Sequence, residues 1–303
     1  MKIRKSFPPF LYFPISLFSY FFVSLFLSGC EKEITVDLPI PEPKLVVDGR
    51  IEPGQKTYVY LSKSVPFFAP TDLNSFAAQT VKNAVVTVTD GTTTITLLEA
   101  IPGVGYYYIS TDTTFAQYGK TYTLNISAEG KNYSSTTTIP DPVPLDSVWF
   151  ELFPPSDSLG YLWANLTDKP VEKNAYRWLA KRIGKDNDFV APHFSVFDDK
   201  FVNGTSFPFA YDRGNTENST AEDDNNEERC YFKKNDSVHV KFCTIGKTEF
   251  EFLRRFEIEI SNNGNPFAAP SSIPTNITGD SPALGIWCGY GSTIHKLKLI
   301  PVN

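Results

Sequence analysis

From residue 44 to about residue 140, apolar and polar residues alternate in short runs separated by turn residues, the period of strands with one face in a core. The runs open with Leu45-Val46-Val47-Asp48-Gly49 and Tyr58-Val59-Tyr60-Leu61, and continue at residues 84–89, 92–97 and 106–109. Asp90-Gly91 predicts a tight hairpin between the third and fourth runs. Glu129-Gly130 predicts another between residues 122–126 and 133–137. Short strands at roughly ten-residue intervals predict an immunoglobulin-like β-sandwich over 44–140.

Pro140, Pro142 and Pro144 then interrupt the pattern, because alternate prolines cannot continue a sheet ladder. Residues 141–303 predict a second, β-rich C-terminal domain, with strands at 147–153, 161–166, 176–183, 207–211, 230–234, 238–244, 283–287 and 295–300. It also holds one short helix. Thr248 is its expected N-cap, with Glu251 reaching back and Phe252, Phe256 and Ile260 on one face. Asn262-Asn263-Gly264 ends it. Alternation of Phe256, Ile258 and Ile260 leaves a strand as the alternative.

The opening residues follow neither period. Lys2, Arg4 and Lys5 precede an uncharged apolar run over 7–27, and Leu27-Ser28-Gly29-Cys30 follows. That order predicts a lipoprotein signal peptide over 1–29, with Cys30 the lipidated first residue of the mature chain, carrying diacylglycerol and an amide-linked acid such as palmitate. An uncleaved N-terminal anchor is the alternative. In 30–43, Pro39, Pro41 and Pro43 stand among Glu31, Glu33, Asp37 and Glu42, the composition of an extended acidic tether.

Composition sharpens this picture at three points. Aromatic residues make up 15%, with 25 Phe and 15 Tyr against 1 Met, which favours strands over helices. A net charge of −6, with no basic cluster, argues against a nucleic-acid partner. Of the 4 cysteines, Cys30 is assigned to lipid. Cys230 and Cys243 fall on neighbouring predicted strands and are candidates for a disulfide; the alternative is that these two and Cys288 are buried thiols.

Catalytic motifs are sparse. His193, His239 and His295 have no partner four residues on, and no Gly-x-Ser-x-Gly elbow, P-loop or dinucleotide fingerprint occurs. Neither an enzyme nor a cofactor nor a metal centre is expected. Cys288 and His295 lack a third orienting group. Acidic clusters at 186–188, 198–199 and 222–228 offer calcium-type oxygen ligands without the EF-hand spacing. Phe67-Phe68 and Phe207-Pro208-Phe209-Ala210-Tyr211 are proline-flanked aromatic runs. Phe67, Phe68, Phe207, Phe209 and Tyr211 are therefore candidate ligand or partner contacts, with packing under loops as the alternative.

Several short tracts recur in a recognisable order: Cys30-Glu31-Lys32 leading to Pro43-Lys44-Leu45-Val46-Val47-Asp48-Gly49, then Tyr60-Leu61-Ser62-Lys63-Ser64, Gly130-Lys131-Asn132-Tyr133, Leu145-Asp146-Ser147-Val148, and Ala283-Leu284-Gly285-Ile286-Trp287. Together they resemble the Bacteroidota lipoproteins grouped as domain of unknown function 4249. The resemblance implies an outer-membrane, surface-exposed lipoprotein, in a family often encoded beside TonB-dependent receptors; it carries no known activity. The expected function is that of a non-catalytic accessory partner of such a receptor in nutrient uptake, membrane-bound through its lipid and with a glycan or peptide as ligand. The alternative is a free-standing surface glycan-binding or adhesion lipoprotein.

Overall fold

The computed structural model describes residues 42–66, 73–170, 173–214, 228, 230–262 and 272–302. The signal peptide, Cys30, most of the tether, Phe67, Phe68 and the acidic run 222–227 lie outside the described residues. In chain order the elements are β1 (Leu45–Ile51), β2 (Tyr58–Lys63), α1 (Leu73–Gln79), β3 (Val85–Thr89), β4 (Thr94–Glu99), β5 (Tyr107–Ile109), β6 (Thr121–Ala128), β7 (Lys131–Thr138), β8 (Ser147–Leu152) and β9 (Leu159–Thr167). There follow β10 (Ala175–Arg182), β11 (Val196–Asp198), β12 (Ser206–Tyr211), β13 (Phe232–Lys233), β14 (Ser237–Ile245), α2 (Lys247–Asn262), β15 (Thr278–Gly279), β16 (Ala283–Gly289) and β17 (Gly291–Lys298). The fold is mainly β, as the sequence pattern predicts.

The first sandwich is one continuous path of nine strands, β15-β7-β6-β3-β4-β5-β2-β1-β16, curled on itself. β4 makes the corner: its early residues pair with β3 and its last two, Leu98 and Glu99, with β5. Alternation puts Val47, Val59, Leu61, Val86 and Leu124 into the core and turns Asp48, Arg50, Tyr58 and Tyr60 outward. The predicted hairpins have the expected turn chemistry. Asp90 accepts the Thr92 and Thr93 amides at 3.0 and 2.8 Å, and Glu129 and Gly130 both take positive φ, as a type I′ turn requires.

Two strands of this sandwich come from the far end of the chain. β15 pairs with β7, and β16 lies parallel to β1, from Leu45 opposite Ala283 to Ile51 opposite Gly289. Residues 278–289, expected within the C-terminal domain, thus complete the first sheet, and Trp287 becomes a fully buried member of its core. Gly49 makes room for that indole, since a Cβ there would sit 2.6 Å from Trp287 Cε3. Strand periodicity identifies β16 but carries no information about its partner, so a pairing across 238 residues, Leu45 to Ala283, is invisible to it.

The second sandwich packs β12, β9, β8 and β13 against the sheet β11-β10-β14-β17. Its core includes Phe150, Leu162, Tyr176, Trp178, Phe232 and Phe242. A third apolar cluster fills the junction between the sandwiches: Leu179 and Cys243 meet Ile286, Cys288 and Tyr290, with Phe250 and Leu253 of α2 closing one side. β10 is therefore buried on both faces from Ala175 to Ala180, a stretch that is apolar or aromatic except at Arg177. Tyr290, the single residue between β16 and β17, carries the chain from one sandwich to the other. Glu52, just after β1, accepts hydrogen bonds from Lys241 of β14 and from Ser292 of β17, the latter at 2.6 Å.

The helix exists, but its cap and its buried face differ from expectation. The Phe250 amide bonds to the Gly246 carbonyl at 3.0 Å, so Gly246 rather than Thr248 is the N-cap. Glu249, not Glu251, is the acid in the third helical position; its carboxylate lies against Gly246 and accepts the Thr137 hydroxyl. Glu249, Phe250 and Leu253 are buried, whereas Phe256 and Ile260 are exposed. Two acids explain the rotation. Glu249 and Glu257 occupy inward positions because hydroxyls of Thr137 and Ser195 meet them there, and an apolar pattern cannot register that.

Candidate binding cleft

The outward faces of β1 and β2 are partly covered, with the Arg50 and Asp48 side chains still 32% and 48% exposed. Across a gap stand Arg177 and Leu179 of β10 and the loop 182–191, enclosing a cleft of about 970 Å³. One wall is aromatic. Tyr60 stacks on Tyr107 with ring centroids 4.6 Å apart, and Tyr58 meets both edge-on at 5.5 and 5.8 Å. Tyr106 adds a fourth ring 5.1 Å from Tyr60. Its backbone lies at φ +70°, rare for a bulky residue and costing on the order of 1–3 kcal/mol. Bonds on both sides hold it there: its amide donates to the Val81 carbonyl, and its carbonyl accepts the Leu61 amide at 2.6 Å.

The opposite wall is charged. Arg182 is committed to Asp186 at 2.6 Å, and Lys185 to Asp236 at 2.9 Å. On the tyrosine side of the cleft, Arg50 of β1 lies over the Tyr58 ring and 3.7 Å from the Asp48 carboxylate. Arg177 is 8% exposed; its Nη1 donates to the Tyr290 hydroxyl, while its Nε finds no acceptor among the described residues. Burial pushes the Tyr60 phenol up to about 12 and the Tyr58 and Tyr290 phenols higher, so all three are neutral at physiological pH. The cleft thus offers stacking faces, neutral hydroxyls, two guanidinium groups and the carboxylates of Asp48 and Asp188. This is recognition chemistry. By comparison, a depression of about 340 Å³ along β7 and β15 has no charged side chain in its lining.

The residues singled out from sequence lie elsewhere. Phe207, Phe209 and Tyr211 alternate along β12 and turn toward the second core. Tyr211 stacks on Trp178 at 5.4 Å, Phe209 meets Trp178 edge-on at 5.8 Å, and Phe207 meets Phe197 at 6.2 Å. Phe207 and Phe209 are half-buried packing residues, while Tyr211 also lines a shallow depression of about 390 Å³ with Tyr161, Trp163, His193 and Phe194. Pro208 is compatible with this because β12 is an edge strand. Cys230 and Cys243 are not joined. Cys243 is fully buried in the junction cluster, whereas Cys230 precedes β13 in the opposite sheet of the second sandwich. Cys288 shares the junction with Cys243, and burial pushes the Cys243 thiol up to about 12 and that of Cys288 further. Among the described residues no group of three or more acidic, His or Cys side chains could hold a metal, and Asp186 is already held by Arg182.

The cleft residues were visible only as strand alternation. Tyr58 and Tyr60 mark the outward face of β2, and Arg177 is a charge inside an otherwise apolar run. What joins them is the packing of one sandwich on the other.

Two β-sandwiches sharing a junction core, with a polar and aromatic cleft beside it, define a tandem-sandwich protein. The chain belongs to the family described as Domain of unknown function (DUF4249), whose profile matches residues 31–294. Among solved structures it is similar to the FN1–FN3 domains of chicken CNTN1, at 8% identity and a TM-score of 0.24, covering 66% of this chain and 60% of that one. It is also similar to a two fibronectin type-III domain segment from chicken tenascin, at 9% identity and a TM-score of 0.20, covering 85% and 99%. The chain therefore spans less than two thirds of the CNTN1 segment. No curated protein matches it.

Proposed function

We propose that the chain is a lipid-anchored, non-catalytic binding protein of the outer membrane that serves a TonB-dependent receptor, with the cleft as the place where it holds cargo. The observation that carries this reading is the cleft: a tyrosine wall with Arg50 beside it, facing the buried guanidinium of Arg177, assembled where two sandwiches meet. Such walls recognise a ligand by stacking and charge. The anchor rests on Leu27-Ser28-Gly29-Cys30, and the receptor on what the family resemblance implies. A free-standing surface glycan binder is the second reading, favoured by the same tyrosine wall and differing in needing no receptor.

A detergent pull-down from native outer membranes, with the full-length chain tagged at its C-terminus, tests the reading. An acylated Cys30 and a stoichiometric TonB-dependent receptor are the expected products. Acylated Cys30 with no receptor would favour the free-standing binder, and Cys30 without acyl chains would remove the anchor.

A further inference from the structure

The least satisfied group in the cleft is Arg177. A buried guanidinium is stable when an anion and further acceptors surround it, because desolvating a charge costs several kcal/mol that only good pairing offsets. Among the described residues Arg177 has no ion pair; the carboxylate that acts on it electrostatically, Glu257, is bonded through Oε1 to Ser195 and leaves its buried Oε2 unmet. The hydrogen-bond acceptor of Arg177 is the neutral Tyr290 hydroxyl, its Nε is unmet among the described residues, and its nearest cationic neighbour, Arg50, repels it. Arg50 itself is held only loosely by Asp48, at 3.7 Å. The cations of the facing loop, Arg182 and Lys185, already have carboxylate partners.

The surroundings specify more than a bare anion. Tyr58 and Tyr60 meet edge-on at 5.5 Å and form a partly open aromatic face next to Arg50, the kind of face on which the apolar side of a sugar ring packs. Asp48, Asp188 and Ser62 are in the same lining and are suited to accept from or donate to ring hydroxyls. A simple phosphate or carboxylate would use the guanidinium groups and leave this wall empty. A neutral sugar would use the wall and leave Arg177 unpaired.

We propose that the cleft binds a carboxylate-bearing saccharide, of the uronic-acid type, with its acid on Arg177 and Arg50 and a ring face on the tyrosine wall. This rests on the reading of the cleft as a binding site and names its ligand class. A planar guanidinium fork matches a carboxylate in a way a lysine does not.

The test is calorimetric titration of the full-length chain in detergent with three probes: a galacturonic acid trisaccharide, the matching neutral galactose trisaccharide, and inorganic phosphate. The acidic trisaccharide should bind at least tenfold more tightly than either of the others. Arg50→Gln and Arg177→Met should each weaken it tenfold or more, and Tyr60→Leu should weaken both saccharides. Arg177→Met also has a stability readout, since removing a buried charge that has no ion pair among the described residues should leave the melting temperature unchanged or raise it. A sharp fall in melting temperature with Arg177→Met would make the guanidinium a structural group and overturn its assignment to ligand. Equal affinity for acidic and neutral trisaccharides would overturn acid recognition while leaving the cleft as a sugar site. Phosphate binding as tight as the acidic trisaccharide would overturn the saccharide. Binding of none would end the proposal, while the receptor pull-down would still decide the accessory role by itself.

Discussion

Replacing Trp287 with Ala probes the least local feature of the fold, the return of β16 to the first sandwich. Trp287 is fully buried, Nε1 donates to the Tyr122 carbonyl at 3.1 Å, and Gly49 packs against the ring. An indole buries about 200 Å², worth about 5 kcal/mol at roughly 25 cal/mol per Å². That is an upper bound, since unfolded chains already bury some apolar area. Large-to-small core substitutions of this kind cost about 3–5 kcal/mol. For a body of this size, the loss corresponds to a fall in Tm of roughly 10 °C. Trp287→Phe keeps most of the packing but loses the indole donor, and should cost about 1–2 kcal/mol. Far-UV circular dichroism on guanidinium titration is the suitable assay, because removing a tryptophan changes the fluorescence signal itself. A loss below about 1 kcal/mol for Trp287→Ala would mean that β16 does not seal this core, and the parallel pairing with β1 would be refuted.

Three further outcomes follow from the same packing. Gly285 has φ +100°, and a Cβ there would lie 1.8 Å from the Val47 carbonyl oxygen, so Gly285→Ala should destabilise by at least about 1–3 kcal/mol, read by the same titration. Burial raises the Glu249 carboxyl above its ordinary range, against the lowering effect of the Thr137 hydroxyl. The folded state thus binds this proton more tightly, and Glu249 contributes stability that is present below the ordinary glutamate value and lost as pH rises through the raised one. Melts across that window should show a slope in the wild type that is reduced in Glu249→Gln; an unchanged slope would count against the assignment. Cys243 and Cys288 should resist iodoacetamide in the folded protein and react fully once it is unfolded without reductant; a missing pair of thiols in the unfolded count would reveal a disulfide.

The sequence was most legible where a structural feature depends on neighbouring residues. The hairpins at Asp90-Gly91 and Glu129-Gly130 follow from local turn chemistry, and β1, β2 and β6 from side-chain alternation. Legibility failed where long-range packing decides. The pairing of β16 with β1, the rotation of α2 onto Glu249 and Phe250, and the inward turn of Phe207, Phe209 and Tyr211 each depend on an element distant in sequence. The cleft belongs to this second class. Tyr60 and Arg177 are separated by more than a hundred residues and become neighbours only because Leu179, Ile286 and Tyr290 close the junction. Proline-flanked aromatics suggested an exposed platform by composition, yet on an edge strand the same residues suit a core-facing alternation.

Hydrogen–deuterium exchange on the full-length lipidated chain, with and without the acidic glycan pool of native membranes, tests most directly whether the cleft is where this protein works. Slowed exchange confined to the backbone of 46–50, 58–62 and 182–191, with the glycan recovered uncleaved, is the predicted result. Protection centred on β12 around Phe207 and Tyr211, or a cleaved glycan, would contradict it.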